Sequence, residues 1–221
     1  MSRQIAFIHT SPSIIPMFKA LADELLEGVR VFNMVDESLL CDIIRDGRCP
    51  PKTARRLVSH VIEADDAGAD HILVTCSSMG RAVEASRALV AARVLRVDEP
   101  MAEKAVSTGT RIGVIATLRS TLEPTAELVR HRAHAAGKEI HLTTTVVDGA
   151  FDAVISGDGK QHDALVAAAL REMGRNVDVI LLAQASMARV VESLAPPDKP
   201  LPILSSPRLA VEHLAELLRK Q

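Results

Sequence analysis

The run Ile72-Leu-Val-Thr-Cys-Ser-Ser-Met-Gly80 decides how this chain is read. Three apolar residues lead into Thr75-Cys76-Ser77-Ser78, and helical periodicity resumes behind them. A short apolar run bounded by polar residues reads as a buried strand, and its exit into a helix puts the polar turn at the strand's carboxyl end. Further along, Val177-Asp-Val-Ile-Leu-Leu-Ala-Gln-Ala-Ser-Met187 repeats the pattern, with Gln184 at the position matching Cys76. A thiol in one half and a carboxamide in the other point to a site with one proton-carrying group, because an amide does not titrate near neutral pH.

The same alternation extends in both directions. Strands are predicted over residues 5–8, 29–34, 71–75, 94–97, 111–116, 140–146, 177–182 and 201–204. Helices are predicted over 17–26, 38–44, 52–67, 82–92, 99–106, 121–136, 164–173, 187–194 and 209–218. Strands of a few apolar residues between amphipathic helices imply an α/β fold with parallel sheets covered on both faces. The order of elements repeats, so two pseudo-symmetric lobes are expected. Residues 1–98 with 206–221 form the first and 99–205 the second. Ligands of such sheets bind beyond the carboxyl ends of the strands. The turns there are rich in hydroxyls, and the pseudo-symmetry predicts that they face one cleft between the lobes.

Composition removes several function classes. The chain has 221 residues, is 48% hydrophobic and carries a net charge of −2 from 26 basic and 28 acidic residues. This balance offers no attraction to nucleic acid or to an anionic membrane. Aromatics are 2% with no Trp or Tyr, which leaves little for base stacking. No apolar run reaches the ~20 residues of a membrane span, and the N-terminal apolar stretch is too short for a signal peptide. Cys41, Cys49 and Cys76 cannot all pair within one chain, so free thiols and a cytoplasmic location are expected. Apolar helix faces around residues 21–26 and 209–218 leave a homo-oligomer possible.

Cys76 is the candidate catalytic residue. A helix start lowers a thiol's pKa, and Cys76 is expected just before a helix capped by Ser77 or Ser78. Thr10, Thr75, Ser77, Ser78, Thr117, Ser120, Thr121, Gln184 and Ser186 are candidate substrate contacts, able to donate to carboxylate oxygens. Hydroxyls in these turns also serve as helix caps. His9 is a candidate acid–base group, with a turn hydrogen bond as its plainer role. Asp98 and Glu99 either line the cleft or cap the helix that follows. The other seven histidines read as surface residues, and Cys41 and Cys49 as structural. His131 and His134 lack a third ligand, so no metal site is expected. No phosphate loop or dinucleotide fingerprint is present.

Six motifs in order carry a resemblance to a known family. They are Ile8-His-Thr10, Val74-Thr-Cys-Ser-Ser78, Asp98-Glu-Pro-Met-Ala102, Arg111-Ile-Gly-Val-Ile-Ala-Thr117, Leu182-Ala-Gln-Ala-Ser-Met187 and Ser205-Ser-Pro-Arg-Leu-Ala210. The chain resembles the aspartate/glutamate/hydantoin racemase superfamily, which includes maleate isomerase and arylmalonate decarboxylase. The resemblance implies two α/β lobes, no cofactor, and a small carboxylate substrate met by two cysteines, one per lobe. Cys76 matches the first cysteine and Gln184 replaces the second. The glutamate racemase branch carries an acidic residue in the first turn; His9-Thr10-Ser11 has none, which argues against a substrate ammonium. The expected activity is cofactor-independent isomerase or racemase-like chemistry by one thiol. Decarboxylation of the arylmalonate type and a catalytically reduced carboxylate sensor are the alternatives.

Overall fold

The computed structural model describes residues 3–194, 199 and 201–220. The chain is α/β and divides into two compact units, residues 1–99 with 207–221 and residues 100–206.

The first unit contains β1 (Gln4–His9), α1 (Ile15–Leu25), β2 (Arg30–Val35), α2 (Glu37–Asp46), α3 (Pro51–Asp66), β3 (His71–Val74), α4 (Gly80–Ser86) and β4 (Arg93–Arg96). The last helix, α10 (Ser206–Arg219), returns to it. Its sheet has the order β2-β1-β3-β4 with every pair parallel. Alternate residues of the central strands enter different cores. Ile5, Phe7 and Leu73 pack with Phe18 and Leu21 of α1 and with Val211 and Leu214 of α10. Ala6, Ile8, Ile72 and Val74 pack with Leu39, Ile43, Leu57 and Val61 of α2 and α3. Two covered faces explain why β1 and β3 read as continuous apolar runs. Each large side chain removed from water contributes about 1.5–3 kcal/mol. The edge strand β2 is only partly covered.

The second unit repeats the plan. α5 (Glu99–Thr108) leads into β5 (Arg111–Ala116), α6 (Arg119–Ala135), β6 (His141–Val146), α7 (Ala150–Ile155), α8 (Gly159–Met173), β7 (Val179–Leu182), α9 (Ala188–Ser193) and β8 (Ile203–Ser205). The sheet order is β6-β5-β7-β8, again all parallel. Ile115, Ile180 and Leu182 meet Val166, Leu170 and Met173 of α8.

Three expectations are corrected. The helix predicted over 82–92 ends at Ser86, because Asp65 accepts the N–H of Ala92 at 2.7 Å and Arg87 Nε donates to the Val94 carbonyl at 3.0 Å. Those bonds pull the chain out of helix and into β4. A helix not foreseen, α7, begins directly after Gly149, whose φ of 75° suits glycine. Finally, His71 and His162 are not surface residues but fully covered. His162 stands on the same face of α8 as Val166, Leu170 and Met173, a spacing visible in the sequence.

His71 opens a central strand, and neither ring nitrogen has a hydrogen-bond partner. Burial, assisted by Arg93 and Arg3 and opposed by Asp70, holds its pKa below the ordinary histidine value. The unfolded chain takes up that proton at higher pH than the folded one, so His71 makes stability fall as pH drops below ~6.5. His9 acts in the same direction. His60 acts oppositely, because its bonds to Asp36 and Glu63 outweigh its burial. We expect the urea midpoint to fall from about pH 7 to about pH 5, and His71→Leu to reduce that fall. At neutral pH the variant should be as stable as the parent or up to ~1 kcal/mol more so, since it removes an unsatisfied polar group. An unchanged pH slope would contradict this assignment.

Candidate active site

In each unit the first and third strands lie side by side and end together, because parallel pairing puts their carboxyl ends at one edge. In the first unit, His9 and Thr10 leave β1 beside Thr75 and Cys76 leaving β3. The Thr75 N–H and hydroxyl both donate to the Ile8 carbonyl, at 3.0 and 3.1 Å. This stitches the two exits together. Cys76 then starts a single 3-10 turn, Ser77–Met79, closed by the Met79 N–H on the Cys76 carbonyl at 3.2 Å, and α4 follows.

Ser77 and Ser78 do not cap α4, contrary to expectation; they form the 3-10 turn before it, Met79 stands at its N-cap, and no side chain caps it. Ser78 instead donates its N–H and its hydroxyl to the Cys76 sulfur, and the Thr10 hydroxyl donates as well. The residue keeps some accessible surface, yet protein surrounds the sulfur densely. Burial is therefore the largest influence and pushes the thiol's pKa up, as does the Asp98 carboxylate, while the three donors pull it down. The net direction is upward.

The second unit has the same frame with a different group. Gln184 starts the 3-10 turn Ala185–Met187, closed by the Met187 N–H on the Gln184 carbonyl at 3.2 Å. Its side-chain oxygen accepts the Thr117 N–H at 2.5 Å and the Thr117 hydroxyl at 2.9 Å. A backbone N–H can only donate, so this end of the amide is the oxygen and the other end is the NH2 donor. Thr10 on Cys76 and Thr117 on Gln184 are therefore equivalent contacts in the two units. Ser120 and Thr121 are buried in the first turn of α6. The Ser186 side chain lies outside the described residues.

His9 is fully buried, with Nδ1 2.9 Å from the Thr75 hydroxyl and Nε2 2.9 Å from Asn33 Oδ1. The rings of Phe7 and Phe18 flank it, with centroids at 6.0 and 5.5 Å. Burial lowers its pKa, and the Asn33 bond opposes that. Asn33 gave no sequence signal, being a polar residue on an edge strand.

Arg96 and Arg87 were also missed. Arg96 ends β4, yet it is buried and grips Asp98 with two bonds, Nε–Oδ1 at 3.0 Å and Nη2–Oδ2 at 2.9 Å. Its Nη1 donates to Glu84 of α4 at 2.5 Å. Arg87 donates to Glu99 at 2.6 Å. These bonds account for both acidic residues, for which the sequence left cleft lining or helix capping open. The guanidinium of Arg96 lies where a β-carbon on Gly80 would stand. A basic residue at the end of an apolar strand reads as exposed, so only the glycine two residues after Ser78 hinted at close packing.

Two four-stranded parallel sheets, each with a polar turn at the ends of its central strands, define a two-lobed α/β protein. The chain belongs to the Asp/Glu/hydantoin racemase family, whose model matches residues 8–214. No curated protein sequence matches it significantly. Among solved structures it is similar to allantoin racemase from Klebsiella pneumoniae, with TM-score 0.71 and 19% identity over 99% of this chain and 89% of that one. It is also similar to glutamate racemase from Francisella tularensis in complex with D-glutamate, with TM-score 0.75 and 14% identity over 99% and 81%. Aspartate racemase from Picrophilus torridus gives TM-score 0.74 and 13% identity over 97% and 95%. Identities this low speak for the fold alone.

Proposed function

We propose that this protein is a cofactor-independent enzyme of the racemase–isomerase type that acts on a small carboxylate through one cysteine, Cys76. The observation that carries this reading is the setting of the sulfur. Three donors from Thr10 and Ser78 support it as an anion, while burial keeps its proton on at neutral pH. A thiol poised in this way suits proton delivery. The proton passes from sulfur to the carbon of an enediolate or carbanion, and the same three donors receive the thiolate left behind.

Gln184 takes the place of a second cysteine. Its NH2 end, aimed by the Thr117 bonds, suits a carboxylate or hydroxyl oxygen of the substrate and carries no proton of its own. Thr117, Ser120 and Thr121, at and just before the first turn of α6, suit the same oxygens. His9, with both ring nitrogens engaged, holds Thr75 in place instead of exchanging protons with substrate. The first turn supplies no carboxylate to an ammonium, which favours substrates without a free amine. In this reading the chemistry is one-base isomerisation or protonation after decarboxylation.

The test is deuterium exchange. Candidate dicarboxylates and 2-hydroxy acids are incubated with protein in D2O and their α-protons followed by NMR. Exchange is expected, reduced by at least ~100-fold in Cys76→Ala. Exchange that survives the substitution overturns the role of Cys76. Tight binding without exchange, turnover or adduct would establish the sensor reading, which the non-ionisable Gln184 also suits.

A further inference from the structure

We propose that Arg96 is the positioning residue that sets the ionisation of Cys76, by neutralising the buried Asp98 carboxylate beside it. Strand register places the groups. Val74 pairs with Arg96, and the Val97 N–H donates to the Val74 carbonyl at 3.1 Å. Two residues past that pair, Cys76 leaves β3 next to Asp98 leaving β4. Asp98 has no exposed surface, so water does not screen its charge. Arg96 answers that charge through both carboxylate oxygens and ties α4 to the same point through Glu84. Gly80 leaves the room in which the guanidinium lies. The arrangement does two things at once. It cancels a negative charge that opposes a thiolate, and it fixes the helix that follows the cysteine turn.

Among the described residues, these charged and titratable groups of the first unit connect to the sulfur directly or through one neighbour. Asp98 and Arg96 come from the β4 exit, Glu84 from α4, His9 by way of Thr75 from the β1 exit, and Cys49 from the segment before α3. Cys49 is itself pushed up to about 11, by burial first and then by Cys76, so it stays neutral. Of these groups, Asp98 alone is a carboxylate that raises the Cys76 pKa, which makes its partner the control point.

The inference deepens the proposed function and rests on it for calling Cys76 the acting group, but its test needs no substrate. Iodoacetamide alkylation of Cys76 is followed by peptide mass spectrometry against pH. Arg96→Met is expected to move the profile to higher pH and to slow labelling near neutrality about tenfold, one pKa unit. Asp98→Asn moves it to lower pH, and Arg96→Met/Asp98→Asn returns it near the parent. A purely structural clamp would leave the double variant as slow as Arg96→Met, and that result overturns the proposal. If Arg96→Met does not fold, Asp98→Asn decides: a profile that stays put or rises overturns it. If alkylation shifts as expected while no carboxylate exchanges, the proposed function fails and this inference stands.

Discussion

Gly80→Ala should destabilise the protein by about 2–4 kcal/mol, the scale of a broken buried ion pair less a small helix gain. The sign is the point of interest. Gly80 has φ −48° and ψ −48°, ordinary helical values that any residue adopts. At such a helical site alanine normally stabilises by about 0.5–1 kcal/mol. Here a β-carbon would overlap the Arg96 guanidinium. That group cannot swing aside at low cost, because it is buried and held by Asp98 and Glu84 together. Moving it leaves the Asp98 carboxylate uncompensated in a dry site. Urea unfolding measures the loss, and alkylation of Cys76 should slow in the same variant. A more stable Gly80→Ala protein would show that Arg96 does not lie against this glycine.

Under the proposed function, Gln184→Cys should add stereochemical inversion absent from the parent, by on the order of 100-fold over background. The second unit is already furnished for a thiol. Residue 184 starts a 3-10 turn as Cys76 does, and the Thr117 hydroxyl points at it as Thr10 points at Cys76. The substitution supplies a second proton carrier and removes a donor amide. On any substrate whose α-proton exchanges, chiral chromatography should find the parent returning deuterated material of unchanged configuration and the variant producing the opposite enantiomer. Inversion by the parent itself would end the one-base reading.

The fold was legible because both sheets are buried on two faces. Strands such as Ile5 to Ile8 and Ile72 to Val74 are then unbroken apolar runs, and their exits into polar turns mark the candidate site. The positions of Cys76 and Gln184 followed from that periodicity alone. What escaped the sequence depended on partners distant along the chain. Asp65 ends α4 early by accepting N–H groups 26 and 27 residues ahead. Arg96 is hidden by a carboxylate and a glycine that local pattern does not connect to it. The His71 ring sits in the core without a hydrogen bond, an unfavourable placement that propensity does not anticipate. Side-chain networks of this kind are set by tertiary geometry, which a periodic pattern of polar and apolar residues does not encode.

The last helix has a consequence for how the chain comes into being. Ala210, Val211, Leu214 and Leu218 of α10 complete the core that also holds Ile5 and Phe7. The unit of residues 100–206 is continuous, whereas the other needs residues 207–221. During synthesis on the ribosome the later-made unit therefore has its full sequence first. The sheet of the first unit waits, one apolar face open, until residues 207–221 have emerged. This inverts the usual vectorial order, in which amino-terminal domains fold first.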